Sequence, residues 1–468
     1  MRQTVAVKVL FATAELAPIA RVGGLAAAAA GLVAELRRQH VDVDVVVPDY
    51  AGTPLDEEVV RPLDVPAWAG PAIARTGLVP GHADLGPITL IRSSRIERPH
   101  PYTDPNGQGF VDNDHRFFAF SSAVAALTEL TLPDVLHLND WHTSATLAFL
   151  AAPPPTVLTI HTLGYQGATH PAWIDTLPFH RSAYFHFDAC NPLAGAIRLA
   201  DLVITVSPTY AREIVSEAGG FGLDGELAAR GDSLVGILNG IDASIWDPAT
   251  DALLAAPFSA ADMDGKALTH DALCDELGLD RGPGPLVVVV TRLADQKGID
   301  LVVPTLPHLP RLPARLAVLG DGDRRLAEEL RRAAAGQRGR IAFHQGYDEG
   351  LAHRLFGGGD LFLMPSRFEP CGLAQMQAMR YGTLPIVTDV GGLHDTVVDV
   401  DLDPARGTGV VAAHPNAVDV LDAVHRGVRA MTNRRRRDAM RRRGMSIDWS
   451  WAAPTAQHVE HYSRLSNG

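Results

Sequence analysis

The chain reads as a two-domain α/β protein built on doubly wound parallel sheets, and three observations predict this. Its 468 residues exceed one ordinary hydrophobic core, while a hydrophobic fraction of 46% supplies material for two. Short apolar runs alternate with helical spacings along the chain, the pattern of strands covered on both faces. The loops leaving those runs concentrate Gly, His, Arg, Lys and Glu, and strand carboxyl ends are where parallel sheets bind ligands.

Composition excludes several classes. A formal net charge of −13 argues against nucleic acid or an anionic membrane as the main partner. The runs Arg434–Arg437 and Arg441–Arg443 read as a solvated helix face, since Asp438, Ala439 and Met440 interleave with them. Cys190, Cys274 and Cys371 lack the paired spacing of a metal site or disulfide framework. The stretch Val5–Thr13 is too short, and too soon followed by Glu15, for a signal peptide, and no apolar run approaches a membrane span. The expected location is cytoplasmic.

In chain order, Val7–Ala12 predicts the first strand, a loop ending in Arg21-Val-Gly23-Gly24 follows, and Ala26–Leu36 predicts a helix. Strand, glycine loop and helix let amides approach a phosphate, although a Gly-Gly pair is equally a plain turn. Val41–Val47 predicts the second strand; its Asp42 and Asp44 imitate a DxD metal motif but read as edge carboxylates facing water. Residues 51–110 predict hairpins and loops, and Asp112–Leu130 a helix. Val135–Leu138 exits into Asn139-Asp140-Trp141-His142, and Thr156–Ile160 into His161-Thr162-Leu-Gly-Tyr-Gln166-Gly167. Two successive strands carrying His at their tips point to a ligand cleft. Leu202–Val206 and Leu234–Leu238 complete the first domain, the latter leading to Asn239.

The segment from Trp246 to Phe258 is irregular and polar, as a hinge would be. Leu286–Val290 then exits into a loop flanked by Arg292 and Lys297, two cations able to clamp a diphosphate. Leu316–Leu319 runs into Gly320-Asp-Gly-Asp323, read as a turn rather than a metal site. Ile341–Phe343 leads to Tyr347. Asp360–Met364 predicts a buried strand whose exit carries Glu369 and whose next helix opens at Gly372. The amides of Gly372 and Leu373 point at the same spot as that carboxylate, which suits sugar hydroxyls beside a phosphate. Gly391-Gly392 offers a second amide-rich loop, and the segment from Asp448, with Trp449, Trp451, Tyr462 and Leu465, is placed to pack back across the domains.

Taken together, RVGGL at 21–25, NDWHT at 139–143, TIHTLGYQG at 159–167, SPTYAREI at 207–214, ILNGIDASIWDPATD at 237–251, TRLADQKGIDL at 291–301 and GYDEGLAHRLFGGGDLFLMPSRFEPCGL at 346–373 resemble the bacterial glycogen synthase and plant starch synthase family. The resemblance implies a GT-B fold, two facing Rossmann-like domains with an interdomain cleft. It implies an N-terminal acceptor-side domain at 1–243, a nucleotide-sugar domain at 244–447, and a C-terminal helix at 448–468 packed on the first. It also implies a retaining, metal-independent hexosyltransferase that needs no cofactor. His161, Arg292, Lys297 and Glu369 would be catalytic, with the two cations on the donor diphosphate and Glu369 on the donor sugar. Arg21, Gly23, Gly24, Asn239, Tyr347, Cys371, Gly372, Leu373, Gly391 and Gly392 would bind donor, with Tyr347 on the nucleobase side. Asp140, Trp141, His142, Thr162 and Gln166 would line the acceptor side or cleft.

The chain departs from the family's pattern at Arg21, Ala27, Asn139, Thr162 and Val390, where Lys, Asp, His, Asn and Thr are usual. Because these changes cluster on the cleft that the resemblance implies, the expected acceptor of the glucose-like sugar is a small or specialised one, an oligosaccharide, pseudo-sugar or secondary metabolite, rather than glycogen. An ordinary ADP-glucose-dependent glycogen synthase is the alternative, and a catalytically silent carbohydrate-binding protein the alternative of another class.

Overall fold

The computed structural model describes residues 7–104 and 107–467, and Val5 and Ala6 of the Val5–Thr13 stretch lie outside them. The chain divides into two compact units, Met1–Gly240 with Trp451–Gly468, and Ile241–Ser450.

The first unit is built on strands β1 (Lys8–Ala12), β2 (Asp42–Pro48), β3 (Asp56–Leu63), β4 (Ala72–Leu78), β5 (Ile88–Arg92), β6 (Val135–Asn139), β7 (Thr156–Ile160), the short hairpin β8 (Phe185–His186) and β9 (Ala189–Cys190), then β10 (Leu202–Thr205) and β11 (Leu234–Gly236). Its main sheet has the order β11-β10-β7-β6-β1-β2-β5-β4-β3. All neighbours run parallel except β5-β4 and β4-β3, so β3, β4 and β5, within residues 56–92, form an antiparallel meander on the rim. β1, β6 and β7 are buried along nearly their whole length, as two-sided coverage requires. Strand order reverses between β1 and β6, because the chain steps outward to β2 on one side and to β7 on the other.

Asp42 and Asp44 are not edge residues, since β2 lies between β1 and β5. They sit at its amino end, where Asp44 faces Lys8 at 3.7 Å, far from the ligand-binding ends of the sheet. The helix Ala452–Ser466 belongs to this unit: Trp451 and Tyr462 lie in the same core as Val9, Phe11, Leu32 and Val135. Gly31 makes that packing possible, for a Cβ there would meet the Trp451 indole at 2.0 Å.

The second unit has β12 (Leu286–Leu293), β13 (Arg315–Gly322), β14 (Ile341–Gln345), β15 (Leu361–Met364), β16 (Leu384–Thr388) and β17 (Val410–Ala412), all parallel, in the order β14-β13-β12-β15-β16-β17. Order reverses between β12 and β15. Both strands of the β12-β13 pair run further than apolar length suggests: Thr291–Leu293 pair with Gly320–Gly322, so Arg292 is a strand residue and the expected turn begins only at Asp323. A Cβ at Gly320 would meet the Thr291 carbonyl at 2.4 Å, which explains glycine inside this strand. Asp323 caps the next helix by accepting from the Leu326 amide at 3.0 Å.

The arginine-rich segment is the helix Arg434–Ser446, but it is not wholly a solvated face. Arg441 is buried and paired with Asp360, and Arg443 donates to the Gly407 carbonyl at 2.8 Å. Asp251 likewise ties the irregular 246–258 segment to its own unit, accepting from Tyr381 Oη at 2.6 Å and contacting His353 Nδ1 at 2.7 Å. The three cysteines are buried and none is in a disulfide among the described residues. Among the described residues no helix is long and apolar enough to cross a membrane.

Candidate active site

Each unit places the side chains expected to be catalytic at or near the point where its strand order reverses, the point at which α/β sheets open a crevice for ligands.

In the second unit the exits of β12 and β15 are knitted together. Gly298 has φ +65, and a Cβ there would meet the Pro365 carbonyl at 2.0 Å, so only glycine lets the two loops touch. Arg367 holds Asp300 through two bonds at 2.7 and 2.6 Å, and its amide donates to the Gln296 carbonyl at 2.8 Å. This clamp brings Lys297 Nζ to 2.5 Å from Glu369 Oε2, which also accepts from Ser366 Oγ at 3.0 Å. Both side chains of the ion pair are largely buried, so each fixes the other. Arg292 remains exposed beside them, its Nη2 3.3 Å from Gln296 Oε1.

The loop after Glu369 is held from beneath. Gly372 is in the left-handed region at φ +72, and buried Gln375 donates to the carbonyls of Cys371 at 3.2 Å and Gly372 at 2.9 Å. Gly392 donates to the Glu369 carbonyl at 3.0 Å, and a Cβ on it would meet the Cys371 carbonyl at 2.1 Å. The Cys371–Leu373 and Gly391-Gly392 loops therefore interlock. Cys371 contributes backbone here, its side chain being buried. Tyr347 stands apart and exposed beyond β14, an edge strand.

In the first unit Asn139 and Asp140 leave β6 beside His161 at the end of β7. Asn139 Nδ2 donates to the Ala12 carbonyl at 3.0 Å, which turns its Oδ1 to His161 Nε2 at 2.9 Å. His161 Nε2 is thereby the protonated nitrogen and Nδ1 the acceptor. Burial, with repulsion from His458 second, holds the imidazole down to about 3, so it is neutral at ordinary pH. Asp140 has φ 55 and accepts from the amides of His161 at 2.7 Å and Thr162 at 3.4 Å, bracing the His161 loop; burial pushes its carboxyl up to about 7. Behind His161 lies a cavity of about 10 Å³, room for one water, lined in part by Asn139, Asn239, Trp451 and His458.

Several expected cleft residues act as supports. Gln166 is used at both ends, donating to the Phe221 carbonyl at 2.9 Å and accepting from Asn191 Nδ2 at 2.8 Å. His142 is buried among Tyr102, Phe117 and Trp141, whose ring centroids lie 4.9, 4.6 and 4.4 Å away. Trp141 packs beneath Gly167, where a Cβ would meet the indole at 2.1 Å. The Gly23 amide donates to Glu15 Oε2 at 2.9 Å, as does that of Val22 at 2.8 Å. Glu15 in turn accepts from Tyr102 Oη at 2.7 Å. Arg21 and Gly24 are exposed, and a Cβ on Gly24 would meet nothing within 4 Å, which leaves the helix start approachable.

Glu15, Tyr102, Ser366, Gln375 and His458 were not legible as site residues. They act through long-range hydrogen bonds for which sequence carries no local signal; only the glycine spacing beside Glu15 and Gln375 hints at them. Among the described residues no three His, Cys, Asp or Glu side chains are grouped to hold a metal ion.

Residues 8–229 match the family model described as the starch synthase catalytic domain, and residues 279–445 that of glycosyl transferases group 1. A glycogen synthase of Halorhodospira halophila is 40% identical, covering 98% of this chain and 99% of its own length. One from an Anaeromyxobacter species is 42% identical with the same coverage. The solved catalytic domain of starch synthase IV from Arabidopsis thaliana, bound to ADP and acarbose, superimposes with a TM-score of 0.88 at 31% identity, covering 99% of this chain and 100% of that one. A sucrose-phosphate synthase from Thermosynechococcus elongatus shares the fold at a TM-score of 0.65 and 18% identity over 98% of this chain and 99% of its own.

Proposed function

The chain belongs to the glycogen and starch synthase family of GT-B glycosyltransferases, and from that premise we propose that it elongates an α-glucan by retaining transfer of glucose from ADP-glucose. The observation that carries this reading is the Lys297–Glu369 pair, locked at the strand-order reversal beside Arg292. Breaking the sugar–phosphate bond leaves negative charge on the diphosphate and positive charge on the sugar. Arg292 and Lys297 meet the first. Glu369, once the donor draws Lys297 towards its phosphates, holds sugar hydroxyls and faces the second. The acceptor oxygen bonds to the anomeric carbon on the face the diphosphate leaves, and its proton passes to a departing phosphate oxygen. Neutral His161 presents its Nδ1 as an acceptor to the reacting sugar, held so by Asn139.

A specialised, small or pseudo-sugar acceptor, which the five departures suggested, has no support in relatives that are glycogen synthases along their full length. A physical reason lies in where four of the five fall. Asn139 is buried and serves His161, Val390 lends backbone to the start of the helix Gly391–Thr396, and Arg21 keeps the cation. Only Ala27 removes a charge from an exposed surface. Nucleoside diphosphate release from ADP-glucose or UDP-glucose, measured with glycogen, maltose or no acceptor, tests the proposal: ADP release should depend on glycogen, and UDP release from UDP-glucose should be far slower. Release stimulated by maltose alone, or by neither sugar, would refute it.

A further inference from the structure

Three exposed aromatic rings stand together on the first unit, on the loop that begins at His161 and on two segments braced against it. Tyr165, Phe187 and Phe221 are 64%, 78% and 47% exposed. The Phe221 ring lies 3.8 Å from where a Cβ of Gly164 would stand, and the Phe187 ring 3.2 Å from a Cβ of Gly222. Gln166 Nε2 donates to the Phe221 carbonyl at 2.9 Å, and His186 Nε2 to the Gly222 carbonyl at 2.9 Å. Arg198 fixes the His186 ring from behind, donating to its Nδ1 at 3.1 Å and to Glu226 at 2.5 Å. The backbone beneath the rings is thus tied down while the rings face outward.

Both phenylalanines also occupy backbone conformations that bulky residues avoid. Phe187 and Asp188, at φ 44 and 56, form the two-residue turn between β8 and β9, a turn whose positive φ values favour Asn-Gly. Phe221 has φ 50 and immediately precedes Gly222. A glycine or asparagine would satisfy either position with less strain, and strain retained under an exposed ring points to a ligand rather than to folding.

We propose that Tyr165, Phe187 and Phe221 form a stacking platform for the acceptor glucan chain. An aromatic face carries negative quadrupole density, and the C–H-rich face of a glucose ring presents the complementary positive surface. A helical glucan offers such faces in succession, matching several rings on separate segments. The platform shares its loop with His161, so a chain resting on it is tethered to the loop that carries His161. The inference rests on the glucan-elongating reading above.

Maltoheptaose binding, followed by calorimetric titration, tests it independently of transfer. Phe187→Gly removes the ring and relieves the positive-φ strain, so it should weaken maltoheptaose binding about fivefold or more while leaving the unfolding temperature unchanged or higher. Phe187→Trp should restore affinity, Tyr165→Ala with Phe221→Ala should weaken it further, and ADP affinity should not move. Maltoheptaose affinity within twofold of the parent in Phe187→Gly overturns the platform, as does a loss matched by equal loss of ADP affinity. Elongation by the parent with unchanged affinity in the variants would remove the platform and leave the function standing. Phe187-dependent maltoheptaose binding without transfer from ADP-glucose would do the reverse.

Discussion

At the scale of single residues, the Lys297–Glu369 contact carries the most weight. Lys297→Ala removes a preorganised cation and leaves Glu369 buried with Ser366 as its remaining side-chain partner, so two losses are expected. Steady-state kcat/KM should fall by on the order of 10²–10³, the usual loss of about 2–4 kcal/mol for such a group. Unfolding free energy should also drop by a few kcal/mol, about 3 for an uncompensated buried charge. Adding Glu369→Gln should recover the stability and none of the transfer, which chemical denaturation and initial rates would resolve; recovery of both would make the pair purely structural. Lys297 and Glu369 were legible because each follows a strand and stands beside glycine or proline, and His161 because it directly follows the apolar run of β7. The bond from Asn139 to His161 was not, because it joins the ends of two strands whose register no local pattern reveals.

At the scale of elements, strand ends organise both units, and four imidazoles lie on or beside β6, β7 and the C-terminal helix, His137, His142 and His458 buried and His161 partly so. Burial holds His142 and His161 down to about 3 and His458 to about 4, and pushes His137 well below its ordinary value. Folded, they stay neutral; unfolded, they protonate below about pH 6.5. Each therefore removes about 1.4 kcal/mol of stability per unit as pH falls from there towards its folded value. Asp140 works in the opposite direction, since its raised value near 7 favours the folded state as it protonates on acidification. Urea unfolding followed by tryptophan fluorescence should show stability falling as pH drops from about 6.5 towards 5; a flat profile would mean these rings are solvated. Gly31→Ala should destabilise this unit by about 1–3 kcal/mol through overpacking against Trp451, with partial recovery by Trp451→Phe. The strands themselves were legible, Thr156–Ile160 to the residue, because continuous apolar runs announce them. Elements ran past their apolar cores at Thr291–Leu293 and Gly320–Gly322, where backbone pairing rather than side-chain character extends the strands.

At the scale of the whole molecule, a net charge of −13 coexists with a site whose cations, Arg292 and Lys297, are local and clamped. In the proposed reading those cations supply the charge that a diphosphate leaving group needs, so transfer should persist after exhaustive chelation. Activity abolished by EDTA and regained only with Mg²⁺ or Mn²⁺ would reverse that assignment. The two-sheet architecture followed from length and alternation, whereas acceptor choice did not follow from five substitutions. Residue identity alone could not separate Asn139 and Val390, which serve packing and backbone, from Ala27, which faces outward. The central claim, successive elongation of a glucan at the Lys297–Glu369 site, is tested most directly by following the chain-length distribution of maltoheptaose incubated with ADP-glucose. The account predicts a ladder that lengthens with time and is lost in Lys297→Ala. A single addition that then stops, or a ladder that survives in Lys297→Ala, would contradict it.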